Sequence, residues 1–215
     1  MPNHDPQASY DRVAEEYARQ MLHELDHKPR DRELLDQFAA QVNGKGRIAD
    51  LGTGPGQIAR YLHDRGVDAF GIDLSPEMVK VALREHPGME FRQGDMRALP
   101  LEDRSLAGMT AFYCIIHIPR EEVTTVLREL LRVLQPGAPL LISFHRGEQV
   151  VHRDEWWDQP VSVDFTFFER DEMIGYLHDA GFVIDEVVER GPYPDGTEAQ
   201  TQRVYIFASR PSENH

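Results

Sequence analysis

Ile48-Ala49-Asp50-Leu51-Gly52-Thr53-Gly54-Pro55-Gly56 is a short apolar run that breaks into three glycines at alternate positions, and Asp73 follows 21 residues after Gly52. The run reads as a buried strand. A glycine-rich turn after a parallel strand lets the backbone approach a ligand closely, because a side chain at Gly52, Gly54 or Gly56 would occupy the ligand's space. The turn therefore marks a nucleotide-cofactor site. The dinucleotide fingerprint G-x-G-x-x-G places its third glycine one residue later, where this chain has Gln57, so the spacing is G-x-G-x-G and argues against an NAD oxidoreductase. No Gly-Lys-Ser/Thr occurs, so nothing supports a P-loop.

The 215 residues suit one α/β domain over 1–215 with a substantial core. With 23 Lys and Arg against 37 Asp and Glu, the formal net charge is -14. That charge repels a phosphate backbone, and no basic cluster makes a local exception, so nucleic acid is not an expected partner. Cys114 is the only cysteine, which excludes an internal disulfide, and its apolar surroundings suggest inert burial in a reducing compartment. The N-terminus lacks a basic segment followed by an apolar one, and apolar runs stop well short of a membrane span. A cytoplasmic monomer or homodimer without membrane contact is expected.

Tyr10, Val13, Ala14, Tyr17 and Met21 fall at helical spacing, as do Leu34, Leu35 and Phe38 after Pro29, so two helices precede the first strand. Beyond the turn Asn43-Gly44-Lys45-Gly46, strands and helices alternate, the pattern of a parallel sheet covered on both faces. Seven strands are expected, at 47–51, 67–73, 89–93, 107–113, 138–145, 183–190 and 203–209. Helices are expected at about 56–64, 76–85, 120–134 and 170–180, with Ser75 as an N-cap and Gly181 as a C-cap. The last two strands are joined by Gly191-Pro192-Tyr193-Pro194-Asp195-Gly196 instead of a helix and read as an antiparallel pair. Residues 146–168 read as an irregular excursion, rich in Trp and Phe, leaving the edge where open α/β sheets bind ligands.

Preceded by Asp50, the G-x-G-x-G turn resembles motif I of the class I S-adenosylmethionine (SAM)-dependent methyltransferases. Three further stretches resemble the same family. Gln93-Gly94-Asp95-Met96 and the run that follows are similar to "D-x-x-x-L-P-F-x-D-x-S-F" of small-molecule methyltransferases, with Leu101 for the aromatic and Ala107 for the usual aspartate. Residues 111–119 resemble the fourth-strand segment, and 9–18 resemble the leader "Y-D-x-x-A-x-x-Y". The resemblance covers about residues 8–209. It implies a Rossmann-like seven-stranded sheet of order 3-2-1-4-5-7-6, with the last strand antiparallel, helices on both faces and an N-terminal helical lid. The chain then divides into the lid (1–43), a cofactor-binding half (44–145) and an acceptor-side half (146–210). SAM is the implied cofactor, S-adenosylhomocysteine the product, and a bacterial small-metabolite enzyme the implied setting.

Asp73, followed by Leu74 and Met78, can accept hydrogen bonds from both hydroxyls of an unphosphorylated ribose, or it can cap the helix that begins near Ser75. The resemblance implies that Asp95 takes the adenine amine after Gly94 and that Met96 packs on the ring, with an ordinary Gly-Asp turn as the alternative. It also implies that Ala111, Phe112 and Tyr113 line the methionine end beside Asp50, Gly52, Thr53, Gly54 and Gly56, and that Tyr10 or Tyr17 reaches in from the lid. Two plain half-buried tyrosines are the alternative there. His117 either orients the acceptor or shuttles a proton, or it bonds nearby backbone. His145, at the ligand edge, either acts as a base toward an acceptor hydroxyl or anchors the next loop. Trp156, Trp157 and His152 are candidates for the acceptor pocket. His145, His152 and Asp154 lack recurrent ligand spacing, so no metal is expected.

Besides a cofactor-binding partner protein without activity, two kinds of enzymatic function fit these residues. One is in-line methyl transfer to a small-molecule acceptor. The other keeps the cofactor site and cyclises or cleaves SAM without an acceptor.

Overall fold

The computed structural model describes residues 4–194 and 196–213. At its centre lies β1 (Ile48–Leu51), buried at all four positions, as a strand covered on both faces must be. Among the described residues eight strands follow: β2 (Ala69–Asp73), β3 (Phe91–Gln93), β4 (Gly108–Phe112), β5 (Pro139–His145), β6 (Val150–Trp156), β7 (Gln159–Thr166), β8 (Val183–Arg190) and β9 (Arg203–Ser209). Seven of them form one sheet of order β3-β2-β1-β4-β5-β9-β8. The first five run parallel, and β9 is antiparallel to both neighbours. With β8 and β9 as the sixth and seventh expected strands, this is the order the sequence implied.

Among the described residues six helices accompany the sheet: α1 (Pro6–Met21), α2 (Pro29–Val42), α3 (Gln57–His63), α4 (Pro76–Glu85), α5 (Arg120–Val133) and α6 (Arg170–Ala180), with 3-10 turns at Glu24–His27 and Ile115–His117. Their ends follow local chemistry. Asp5 accepts the Ala8 N–H at the start of α1, and Ser75 accepts the Met78 N–H ahead of Pro76 in α4. Gly181 ends α6 in the left-handed region at φ 102°. The apolar stripe of α5 (Val123, Val126, Leu127, Leu130) packs with Met173 and Leu177 of α6 against one face of the sheet. On the other face, Leu34, Leu35 and Phe38 of α2 meet Ile58 and Leu62 of α3, Leu141 and Phe207. Each fully buried side chain of this kind contributes about 1.5–3 kcal/mol.

The expected irregular excursion at 146–168 is instead an antiparallel hairpin, β6 with β7. Its two-residue turn is Trp157-Asp158, with φ of 51° and 60°. Positive φ at both positions fits a type I′ turn, which sequences ordinarily announce with Asn-Gly, so the signal was hidden. β6 is exposed along nearly all its length, whereas Val161 and Val163 of β7 are buried against Val13 of α1. Hydrogen bonds fasten the pair: Asp5 N to Ser162 O at 2.7 Å, Ser162 N to Ser9 Oγ at 2.9 Å, and Arg12 Nη1 to Pro160 O at 2.9 Å. The leader helix and the hairpin thus form one cover over the carboxyl edge of the sheet. Among the described residues, no helix is long and apolar enough to cross a membrane.

If helix and hairpin hold as one unit, Val163→Ala should cost about 2 kcal/mol of stability. It should also speed amide exchange in α1 and in β6–β7 together, leaving β1 and β4 protected. Unchanged protection in α1 would show that the two move independently.

Candidate active site

Hydrogen bonds tie the glycine turn to β2 and order the entry to α4. Thr53 N donates to Ile72 O at 3.1 Å, Gly54 N donates to Asp73 Oδ2 at 2.8 Å, and Ser75 N donates to Asp73 Oδ1 at 2.9 Å. Asp73 therefore orders the entry to α4, one of the two roles the sequence left open, and it also lines a cavity. Burial pushes its carboxyl up to about 6, opposed by the Ser75 and Gly54 N–H groups. Asp50 lies underneath the turn, accepting from Thr53 Oγ1 and Thr110 Oγ1, both at 2.7 Å. Burial raises it to about 7 against those two bonds.

The three glycines serve different purposes. A Cβ at Gly52 would lie 2.3 Å from Cys114 Cβ, and one at Gly56 would lie 2.7 Å from His86 Cδ2 and 2.8 Å from Phe91 Cζ. There the protein itself leaves no room. Only at Gly54, where the nearest atom is Tyr17 Cε1 at 3.6 Å and φ is +53°, would a side chain project into open cavity. The expectation that all three keep a ligand's space clear is thus corrected to Gly54 alone.

Two cavities flank the turn. The first, about 780 Å³ of space partly open to solvent, lies between Asp73, Leu74, Gly94, Asp95 and Met96 on one side and Tyr10, Tyr17, Tyr113 and His117 on the other. The second, about 1190 Å³ and likewise partly open, is walled by Phe112, Tyr113, His145, Trp156, Phe165 and Phe167, with Asp50 and Thr53 beside the turn. Tyr10, Tyr17, Gly52, Gly54, Phe112 and Tyr113 line both. Such volumes suit small-molecule ligands.

His117 is fixed on both nitrogens. Nδ1 lies 3.0 Å from Asp164 O, an acceptor only, so Nδ1 carries the proton, and Nε2 accepts from the Tyr10 hydroxyl at 2.8 Å. Burial holds the ring down at about 4, so it stays neutral. Residues the sequence did not single out complete the arrangement. His4 Nε2 donates to His117 O at 3.1 Å, and Asp164 N donates to His4 Nδ1 at 2.9 Å. The Tyr10 hydroxyl, raised well above its ordinary value by burial, remains a phenol.

His145 lies between Phe167 and Tyr113, at ring-centroid distances of 5.1 Å to each, with Nδ1 2.8 Å from Thr201 Oγ1. Burial, then the nearby Arg203, pushes it down to about 3. Its Nε2 has no hydrogen-bond partner among the described residues. Tyr113 holds φ +53° and bonds Tyr205 Oη at 2.9 Å, and Tyr205 donates to Asp31 Oδ1 at 2.6 Å. This chain links the cavity wall to α2.

Several expected site residues stand elsewhere. Gly56 packs on His86 and Phe91, Met78 packs under α1 with Ala14 and Ala18, and Ala111 lies inside the sheet at 1 % exposure, so none of the three lines either cavity. His152 lies on the exposed β6 and pairs with Asp164 Oδ1 at 2.6 Å. Trp157 stacks on Trp156 at 4.8 Å instead of facing the cavity itself, because it occupies the hairpin turn. Cys114 is buried, and burial raises its thiol. Among the described residues, no group of three or more His, Cys, Asp or Glu side chains is placed to hold a metal.

The depressed His117 has a stability signature. The unfolded chain binds its proton below pH 6.5 and the folded chain only near 4, so this contribution is complete above 6.5 and falls by about 2 kcal/mol at pH 5. His117→Asn can keep a donor toward Asp164 O without titrating, so its stability should fall less steeply between pH 7 and 5. An equal slope in chemical denaturation would contradict the assignment. Gly54→Ala should melt within roughly 2 kcal/mol of the parent, the cost of its positive φ, whereas Gly52→Ala should lose clearly more.

Residues 48–137 match the family model described as a methyltransferase domain. Over 163 residues the chain is 28% identical to a malonyl-[acyl-carrier protein] O-methyltransferase of Enterobacter lignolyticus, covering 73% of this chain and 61% of that protein. Over 112 residues it is 32% identical to a demethylmenaquinone methyltransferase of Renibacterium salmoninarum, covering 52% and 46%. The chain thus spans less than two thirds of the length of these relatives. A solved SAM-dependent methyltransferase structure from Methanosarcina mazei superposes with a TM-score of 0.70 at 20% identity, covering 80% of this chain and 95% of that one, a likeness of fold. Residues 48–137, which contain the glycine turn, Asp73 and the strands that hold them, are thus similar to a methyltransferase domain.

Proposed function

We propose that the protein is a SAM-dependent methyltransferase acting on a small-molecule acceptor by in-line methyl transfer. One observation carries this reading: two cavities meet across the glycine turn, one edged by a hydrogen-bonding carboxylate and the other by aromatic rings. The residues present fit the cofactor. Gly54 leaves open the space that a Cβ would fill, and Asp73 has lone pairs beyond those used by Gly54 and Ser75. When bound, SAM supplies a methyl group on a sulfonium with a good leaving group, so catalysis rests mainly on holding the acceptor in line.

In this reading Asp73 accepts the ribose hydroxyls, and Asp95 and Met96 receive the adenine. Asp95 stays accessible for this, since only its Oδ1 is engaged, by Arg97 N at 2.9 Å. Tyr10 and Tyr17 cover the junction from the lid, and His117 positions Tyr10 through its Nε2 instead of acting as a base. That nitrogen already accepts the Tyr10 hydroxyl. His145 is the candidate base on geometry, because its Nε2 is unengaged among the described residues; the burial that holds it down at about 3 makes it a weak one. Trp156 shapes the acceptor pocket, and Trp157 supports it by stacking.

The relatives are named for different acceptors, so the acceptor here is proposed only as small and partly apolar, matched to Trp156, Phe165 and Phe167. The proposal also treats the chain as a single unit made of lid, cofactor half and acceptor half. A cytoplasmic setting is part of it, in keeping with Cys114 as the only cysteine.

Calorimetry with S-adenosylhomocysteine tests the reading. Asp73→Ala should weaken binding by roughly 30-fold or more, the loss of two charge-assisted hydrogen bonds. For the parent, affinity should fall below pH 6 as Asp73 protonates, about 10-fold by pH 5, and Asp73→Asn should flatten that dependence. No binding by the parent would refute the cofactor assignment. Methylthioadenosine released from SAM alone would refute methyl transfer. His145→Ala should lower turnover while leaving S-adenosylhomocysteine affinity within about 2-fold; parallel loss of both would make it a scaffold residue.

A further inference from the structure

Beside the glycine turn, the wall of the second cavity carries charge that the steps above leave unused. Glu24 in the 3-10 turn, Lys28 ahead of α2 and Gln57 at the start of α3 line it next to Asp50, Thr53 and Gly54. Lys28 is 6% exposed. Its ammonium donates to Glu24, while Glu198 Oε2, at 3.7 Å, lies beyond hydrogen-bond distance. Of its three N–H groups, one is engaged among the described residues. Gln57 Nε2 donates to Glu24 Oε1 at 2.8 Å, but Gln57 Oε1 is buried without a partner among the described residues. A buried acceptor in that condition costs free energy unless a donor reaches it.

One wall therefore presents a carboxylate and a spare amide oxygen next to a buried ammonium with spare donors. This pattern is complementary to a zwitterion, in which an ammonium and a carboxylate stand on one carbon. The methionyl end of SAM has that chemistry. We infer that Glu24, Lys28 and Gln57 clamp the aminocarboxylate end of the cofactor, with Lys28 donating to the carboxylate and Glu24 and Gln57 Oε1 accepting from the ammonium. The inference rests on the SAM reading of the same site. It adds that the ligand crosses the glycine turn, its adenosyl part in the first cavity and its charged end in the second. Burying both charges together is what makes the clamp favourable, because each meets its complement.

The test compares S-adenosylhomocysteine with 5′-methylthioadenosine, which keeps the adenosine and the thioether but lacks the aminocarboxylate. By calorimetry, Lys28→Met should weaken S-adenosylhomocysteine about 10- to 100-fold and leave methylthioadenosine within about 2-fold. Gln57→Leu leaves the Glu24–Lys28 pair in place and should weaken S-adenosylhomocysteine alone, by about 5- to 10-fold. It decides the matter if Lys28→Met does not fold. Equal losses for both ligands, or unchanged S-adenosylhomocysteine affinity in both variants, would overturn the clamp while leaving the SAM reading standing. Parent protein that binds neither ligand would overturn both.

Discussion

The hydrogen bond from Gly54 N to the Asp73 carboxylate holds together the parts on which the site depends. It joins the end of β2 to the turn after β1, and the other carboxylate oxygen fixes the first residues ahead of α4 through Ser75 N. A carboxylate buried at this depth is tolerated only because backbone donors meet it, and the same burial that raises it to about 6 shields what it binds from water. Beneath it, Asp50 ties the turn to β4 through Thr53 and Thr110. Two acidic groups from adjacent strands thus fix the partition between two cavities. Everything else around the site is attached to that partition from outside.

The cover is the clearest such attachment. α1 and the β6–β7 hairpin bury Val13, Val161 and Val163 between them, and the Tyr10–His117–Asp164 chain crosses from one to the other. Its polarity runs one way: the Asp164 carbonyl fixes the proton on Nδ1, which leaves Nε2 to receive the Tyr10 hydroxyl. A neutral imidazole in this position orients a phenol without adding charge to the cavity. On the far side, Tyr113 is held at a positive φ by the Tyr205–Asp31 bonds, so the aromatic wall shared by both cavities is also fixed by a buried polar chain.

Much of this was legible in the sequence, for physical reasons. Strands buried on both faces give unbroken apolar runs, and glycines, Ser75-Pro76 and Gly181 mark where they turn, so strand positions and helix ends followed, while the sheet order came from the family resemblance. Gly54 and Asp73 stood out because a ligand-approaching turn needs those residue types at that spacing. The hairpin did not stand out, since Trp157-Asp158 lacks the glycine that announces a type I′ turn. Gly52 and Gly56 looked like ligand glycines because sequence cannot distinguish a neighbour's side chain from a ligand. Met78 and Ala111 sit behind the cavity for the same reason: periodicity places a residue on an element without telling which wall it faces. Glu24, Lys28 and Gln57 were invisible as a group. They lie on different elements, and only the packing of α2 and α3 beside the turn brings them to one wall.

A crystal structure of the protein with S-adenosylhomocysteine tests the central claim most directly. The account predicts ribose hydroxyls on Asp73, the sulfur at the junction among Tyr10, Tyr17, Gly52 and Tyr113, and the aminocarboxylate toward Glu24, Lys28 and Gln57. A ligand confined to one cavity with its ribose away from Asp73, or one bound outside both, would contradict it.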